Sequence, residues 1–153
     1  MGTLDLRDII GINRKSVFNL DEARTLFPII FRLTKSYSER VQVLIQKIEA
    51  VTAAKSGNQI DATEPLEAEA AELIQQWQSK VQKLGGLPNG HWIVDFDSGD
   101  GYYCWKYPER SIEYWHHYRD GFSKRIKLSS LEKNREDQSL DLRLAPIVSV
   151  NDL

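Results

Sequence analysis

Asp95, Cys104, Glu109, His116 and Arg125 are the residues of this 153-residue chain whose types and spacing can do chemistry. An aspartate that orients a histidine close to a tyrosine is an arrangement that moves protons. Cysteine, histidine and aspartate are also the side chains that hold transition metals. All of them fall between His91 and Arg125. That stretch carries ten of the fifteen aromatic residues, three of the four tryptophans, all three histidines and the single cysteine.

The elements that must position these groups can be read from the turn residues. His91–Phe96 has the composition of a strand, Asp97-Ser98-Gly99-Asp100-Gly101 of a turn, Tyr102–Tyr107 of a second strand. Pro108–Ser111 turns the chain again, and Ile112–Tyr118 is expected to be a third strand. Centring both turns pairs Phe96 with Tyr102 and Tyr107 with Ile112, and the Lys106–Glu113 charge pair fits that choice. In this register Asp95, Tyr103 and His116 form one row. His116 and Asp95 are therefore the catalytic candidates, and Trp105, Glu109, Tyr103 and Arg125 the ligand-binding candidates. Asp95 and His116 are two strands apart, about 9–10 Å at about 4.8 Å per strand spacing, which is too far for direct contact without strong twist or long reach. Read blandly, they are satisfied polar groups on an aromatic sheet. Cys104 falls on the opposite face, and the adjacent His116 and His117 point apart on a strand. No protein-bound metal is expected on that geometry, and Cys104 reads as an inert core thiol. Arg125 reads as an ion-pair partner of Glu109 or Asp120, with anion binding as the alternative.

Two helices precede this stretch. Asn19 followed by Asp21 and Glu22 spells a capping box at an acidic first turn. Ala23, Phe27, Ile30, Thr34, Tyr37, Val41, Leu44, Ile48 and Val51 then step by four and three, the spacing of a coiled-coil-like seam running to about Lys55, with Gly57-Asn58 as its stop. Pro28 should bend this rod. A second helix is expected over Glu64–Leu84, capped by Thr63 with Pro65 in its first turn, carrying the stripe Leu66, Ala70, Leu73, Trp77, Val81 and Leu84. The first helix, roughly 54 Å long, outruns the second, roughly 31 Å. Its Pro28 half must therefore bury itself against the aromatic stretch. The expected fold is α+β: a single domain, residues 1–153, with a long antiparallel helical hairpin at about 19–84 packed on a three-stranded antiparallel meander at about 91–118. Residues 1–17 leave strand and helix open. A tail at about 126–153 runs through a polar segment and ends in alternating Leu140, Leu142 and Leu144.

A net charge of −2 gives no general attraction to nucleic acid or membrane. A lone cysteine suits a reducing compartment, and no apolar run reaches a membrane span. A cytoplasmic protein is expected. Five acidic residues lie between Lys55 and Lys80 with no basic one, and the stretch from Lys106 to Lys127 holds six basic residues, counting both ends, among them Arg110, Arg119, Lys124 and Arg125. Solvated faces of opposite sign account for this pattern, with a small anionic ligand as the sharper alternative.

The ordered phrases N-x-D-E-A-R-x-L-F-P, V-D-F, Y-C-W, P-E, Y-W-H and G-F-x-x-R, spanning Phe18 to Arg125, resemble the bacterial domain-of-unknown-function family numbered twenty-two-oh-three. The resemblance implies a bacterial cytosolic protein built from a helical hairpin and a small sheet, and it brings no activity with it. It carries over Asp95, Cys104, Trp105, Glu109, Trp115, His116, Gly121 and Arg125. Pro108 departs from it by replacing the usual Gly before the Glu, and His91-Trp92 by replacing a Gly-Leu-like strand entry.

The favoured functional reading is a non-enzymatic interaction or assembly module, partnered by a second copy or another protein. It rests on the long seam and the two apolar sheet faces. The alternative is a small enzyme or ligand-binding protein with His116, Asp95 and Glu109 beside an aromatic pocket. That alternative requires a water-reached cleft holding His116. No cofactor is implied.

Overall fold

In the computed structural model, residues 17–54 and 59–133 are described. Expectations for residues 1–16, for the Gly57-Asn58 stop and for the tail from 134 onward lie outside them.

Helix α1, Leu20–Ala53, starts where its cap predicts. The Asn19 side chain accepts from the Glu22 N–H at 2.8 Å, and the Glu22 carboxylate accepts from the Asn19 N–H at 3.2 Å. Two of the orphan donors at the helix start are thereby satisfied reciprocally. Its buried seam is Ala23, Ile30, Thr34, Tyr37, Val41 and Leu44. Helix α2, Gln59–Lys83, begins earlier than Thr63, so Pro65 lies inside the helix and Thr63 is buried rather than capping. Pro65 is exposed, where the loss of one backbone bond is most easily met by water. The helix ends in a Schellman motif. Gly85 takes φ 98°, its N–H reaches Gln82 O, and the Gly86 N–H reaches Val81 O. The two helices form the expected antiparallel hairpin, joined by Trp77 Nε1–H donating to Thr34 Oγ1 at 2.9 Å.

Among the described residues the sheet has five antiparallel strands in sequence order, not three. They are β1 Leu87–Pro88, β2 Ile93–Asp97, β3 Tyr102–Lys106, β4 Tyr114–His116 and β5 Ile126–Lys127. The added edges are two residues long, too short to show any alternation. β5 takes residues 126–127 out of the expected tail and into the sheet. β4 is shorter than Ile112–Tyr118, because Ile112 leaves the sheet for the core.

Register is the main correction. Asp97 pairs with Tyr102, Asp95 with Cys104, and Val94 with Trp105. Tyr102 pairs with His116, and Cys104 with Tyr114. Each hairpin is shifted by one residue from the centred turns, and such a slip exchanges faces. In the first turn, Asp97 Oδ1 accepts from the Gly99 N–H at 2.9 Å and Ser98 N–H donates to Gly101 O at 2.8 Å. The turn is thus one residue tighter, and Asp97 joins the strand. In the second, Glu109 folds back on the end of β3, its carboxylate accepting from the Lys106 N–H at 2.7 Å. The expected Lys106–Glu113 pair gives way to a Ser111–Glu113 hydrogen bond.

One sheet face, with Val94, Phe96, Tyr103, Trp105 and Trp115, packs on the helices. Trp105 meets Phe27 and Phe31 at ring distances of 5.4 and 6.0 Å, and Phe31 also meets Tyr107. Phe18 lies edge-on to Phe96, and Trp77 to Trp92. The Pro28 end of the rod is seated on the tryptophan-rich sheet, as the unequal helix lengths require.

Candidate functional site: a buried Asp–Cys–His cluster

The second sheet face carries Asp95 from β2, Cys104 from β3 and His116 from β4. All three are buried, at 4, 0 and 2% exposure, on the side away from the helices. Cys104 sits between the other two strands, and its side chain is short. The longer side chains lean over it and meet, His116 Nε2 to Asp95 Oδ1 at 3.3 Å. The expected separation is overcome by reach across a small residue. Tyr103, placed in the same row by the centred register, is on the opposite face with Trp105. Cys104, placed on the opposite face, is part of the cluster. One oxygen, nitrogen or sulfur from each of the three residues lies within 4.8 Å of the others.

Neighbours orient the cluster. His116 Nδ1 stands 2.9 Å from the His117 carbonyl. A carbonyl only accepts, so Nδ1 carries the hydrogen and Nε2 is the atom turned to Asp95. The other Asp95 oxygen accepts from Asn89 Nδ2 at 3.3 Å. Burial pushes the Cys104 thiol far above its usual range. The charge of Asp95 and a hydrogen bond to it act in the same direction, and Arg125 opposes them. At neutral pH Cys104 is a thiol, not a thiolate nucleophile.

The cluster is roofed by side chains from the later strands and turns. Tyr102 packs on the His116 ring at 5.5 Å and on Tyr118 at 4.9 Å. Arg125 is clasped between rings, 4.0 Å over Tyr114 and 3.9 Å over Phe122. It donates to both Glu109 oxygens, at 2.9 and 3.0 Å. Burial pulls the Arg125 pKa down, but hydrogen bonding and the charge of Glu109 outweigh it and hold the guanidinium charged. Trp105 reaches this region from the helix side, its indole N–H donating to the Glu109 carbonyl at 2.6 Å. At the rim, Tyr118 donates to Asp97 at 2.6 Å, which raises the phenol to about 12. Lys124 pairs with Asp120 rather than joining Arg125 in a basic patch.

The polar residues that the resemblance carries over, Asp95, Cys104, Glu109, His116 and Arg125, thus meet on one side of the sheet. The family model described as "Uncharacterized conserved protein (DUF2203)" matches residues 16–128, a span that contains all of them. The chain belongs to the DUF2203 family. No curated protein and no solved structure matches it. The DUF2203 match ends at Leu128, one residue past β5, so it takes in the whole sheet.

Sequence reasoning missed Asn89 and the membership of Cys104. Asn89 precedes the first expected strand and gave no periodic signal. Cys104 was lost with the register. The Asp-Ser-Gly sequence at 97–99 was the available clue, because an Asp side chain that closes its own turn keeps that residue paired.

Proposed function

We infer that this DUF2203 chain is a non-enzymatic assembly module that pairs with a second copy through the outer face of α1. The observation that carries the reading is a division of roles on the surface. The reactive side chains are sealed, while large apolar ones on the rod are open. Both ring nitrogens of His116 are engaged and its ring is 2% exposed, so the proton-moving reading lacks the water-reached cleft it requires. Ile29 and Val43 on α1 are 51 and 50% exposed.

Ile29, Arg32, Ser36, Glu39 and Val43 step by three and four on the side of α1 away from its buried seam. The middle of this line is a shallow groove of about 380 Å³ lined by Arg32, Lys35, Ser36, Glu39, Arg40 and Val43. Ile29 and Val43 lie equally far on either side of Ser36. A two-fold axis there sets Ile29 of one copy against Val43 of the other, with Arg32 close to Glu39, and repeats both contacts by symmetry. The serine at the centre allows close approach.

Sedimentation of the full chain over a range of concentrations tests this. A reversible monomer–dimer equilibrium is expected, abolished by Ile29→Lys with Val43→Lys. Helical circular dichroism should stay unchanged, because neither side chain supports the core. The single charge reversal Arg32→Glu should weaken the dimer, and adding Glu39→Arg should restore it. A clean monomer at the highest concentration overturns the reading.

A further inference from the structure

We propose that Asp95, Cys104 and His116 form a binding site for one zinc-class divalent cation that ties β2, β3 and β4 together. This goes beyond the assembly reading and does not depend on it. One carboxylate, one sulfur and one imidazole make a mixed donor set that suits zinc and its first-row neighbours. Magnesium and calcium take oxygen ligands and have no such set here.

The geometry is close to that of a loaded site. Donor atoms around a tetrahedral ion with bonds of about 2.0–2.3 Å stand roughly 3.3–3.8 Å apart. His116 Nε2 and Asp95 Oδ1 are already 3.3 Å apart, and the whole set lies within 4.8 Å, so side-chain rotation alone can close it. The surrounding contacts are those that orient metal ligands. The His117 carbonyl fixes the His116 hydrogen on Nδ1 and leaves Nε2 for the ion. Asn89 steadies the far oxygen of Asp95.

Charge leads to the same site. If Nε2 presents its lone pair to Asp95, two acceptors face each other in a sealed place. If it carries a hydrogen, an imidazolium and a carboxylate are buried together beside a neutral thiol. A divalent cation resolves either case. In the second case it displaces the Cys104 and His116 protons, two positive charges leave as two arrive, and the cluster stays neutral. Burying ions without such balance is costly. Three protein donors leave the fourth position to a water that enters with the ion.

The test uses the full chain, stripped with a chelator and titrated with cobalt(II). The expected result is one equivalent bound, with tetrahedral visible bands and a near-ultraviolet thiolate-to-cobalt band, both erased by zinc. Zinc should raise the melting temperature, and magnesium should not. The chain has a single cysteine, so the thiolate band reports Cys104 alone. Cys104→Ser should remove it, and Asp95→Asn or His116→Gln should remove the tetrahedral signature. Should any of these fail to fold, Asn89→Ala keeps the question open to measurement. Asn89 is exposed, and losing an orienting partner should weaken cobalt binding about tenfold. His91→Gln, at a histidine outside the cluster, should leave binding unchanged. A wild-type protein with no thiolate band and no zinc-induced shift in melting temperature overturns the proposal, as does a band that survives in folded Asp95→Asn and His116→Gln.

Discussion

Thr34 interrupts an otherwise apolar run in the seam of α1, and its partner explains it. The side chain is fully buried, donates to Ile30 O at 2.7 Å and accepts the indole hydrogen of Trp77. Trp77 is itself completely covered, so no water can replace the threonine. Thr34→Val keeps the shape and removes the acceptor. Stranding a buried donor costs about 1–3 kcal/mol, and denaturant unfolding should show a loss of that size, with Thr34→Ser recovering much of it. Equal stability of Thr34→Val and wild type would show that the hydrogen bond contributes nothing net. The same accounting explains why Asp95 and His116 were recognisable by type but not by role. A sequence shows that polar groups occur among aromatics. It does not show which partners satisfy them, and here those are Asn89 and the Cys104 thiol as donors to Asp95 and the His117 carbonyl as acceptor from His116.

Gly101, which closes the turn between β2 and β3, holds the register that brings the cluster together. A Cβ there would fall 2.5 Å from the His116 carbonyl oxygen and clash with the edge of the Trp115 ring, so β4 lies against it with no room to spare. Gly101→Ala should destabilise the fold by about 1–3 kcal/mol through overpacking. It should also displace β4, and the His116 ring with it, which a histidine side-chain NMR resonance would report. An unshifted His116 signal in a stable Gly101→Ala protein would mean that β4 is positioned elsewhere. The elements were legible to the extent that their signals were local. Asn19 and Glu22 fixed the start of α1, and Gly85-Gly86 the end of α2. The strands were legible in position because β-branched and aromatic residues cluster there. The pairing was not, because it turns on one residue at each hairpin. Asp97 and Glu109 use their side chains to bond their own turns, and each slips the register by one. That single step carried Cys104 from a supposed opposite face into the cluster and carried Tyr103 out of it.

At the scale of the whole molecule, α1 belongs to two different packings. It has 34 residues against 25 in α2, about 51 Å against about 37 Å. Thr34 meets Trp77, and counting back along the antiparallel pair brings the last residue of α2, Lys83, level with Pro28. Around that point the rod is held by the sheet, with Phe27 and Phe31 against Trp105 and Phe31 against Tyr107. The fully buried Trp105 also holds the Glu109 carbonyl, so it links the rod to the roof of the Asp–Cys–His cluster. Removing a buried tryptophan to alanine costs about 3–5 kcal/mol. The loss in Trp105→Ala should not be spread evenly. Hydrogen exchange should speed up first over the opening turns of α1, near Phe27, and over Glu109 and its turn. The Tyr37–Leu44 segment is clasped by α2 and should keep its protection until global unfolding. Equal deprotection along all of α1 would mean that the rod opens as one unit, and that the sheet does not hold its Pro28 end independently of the hairpin.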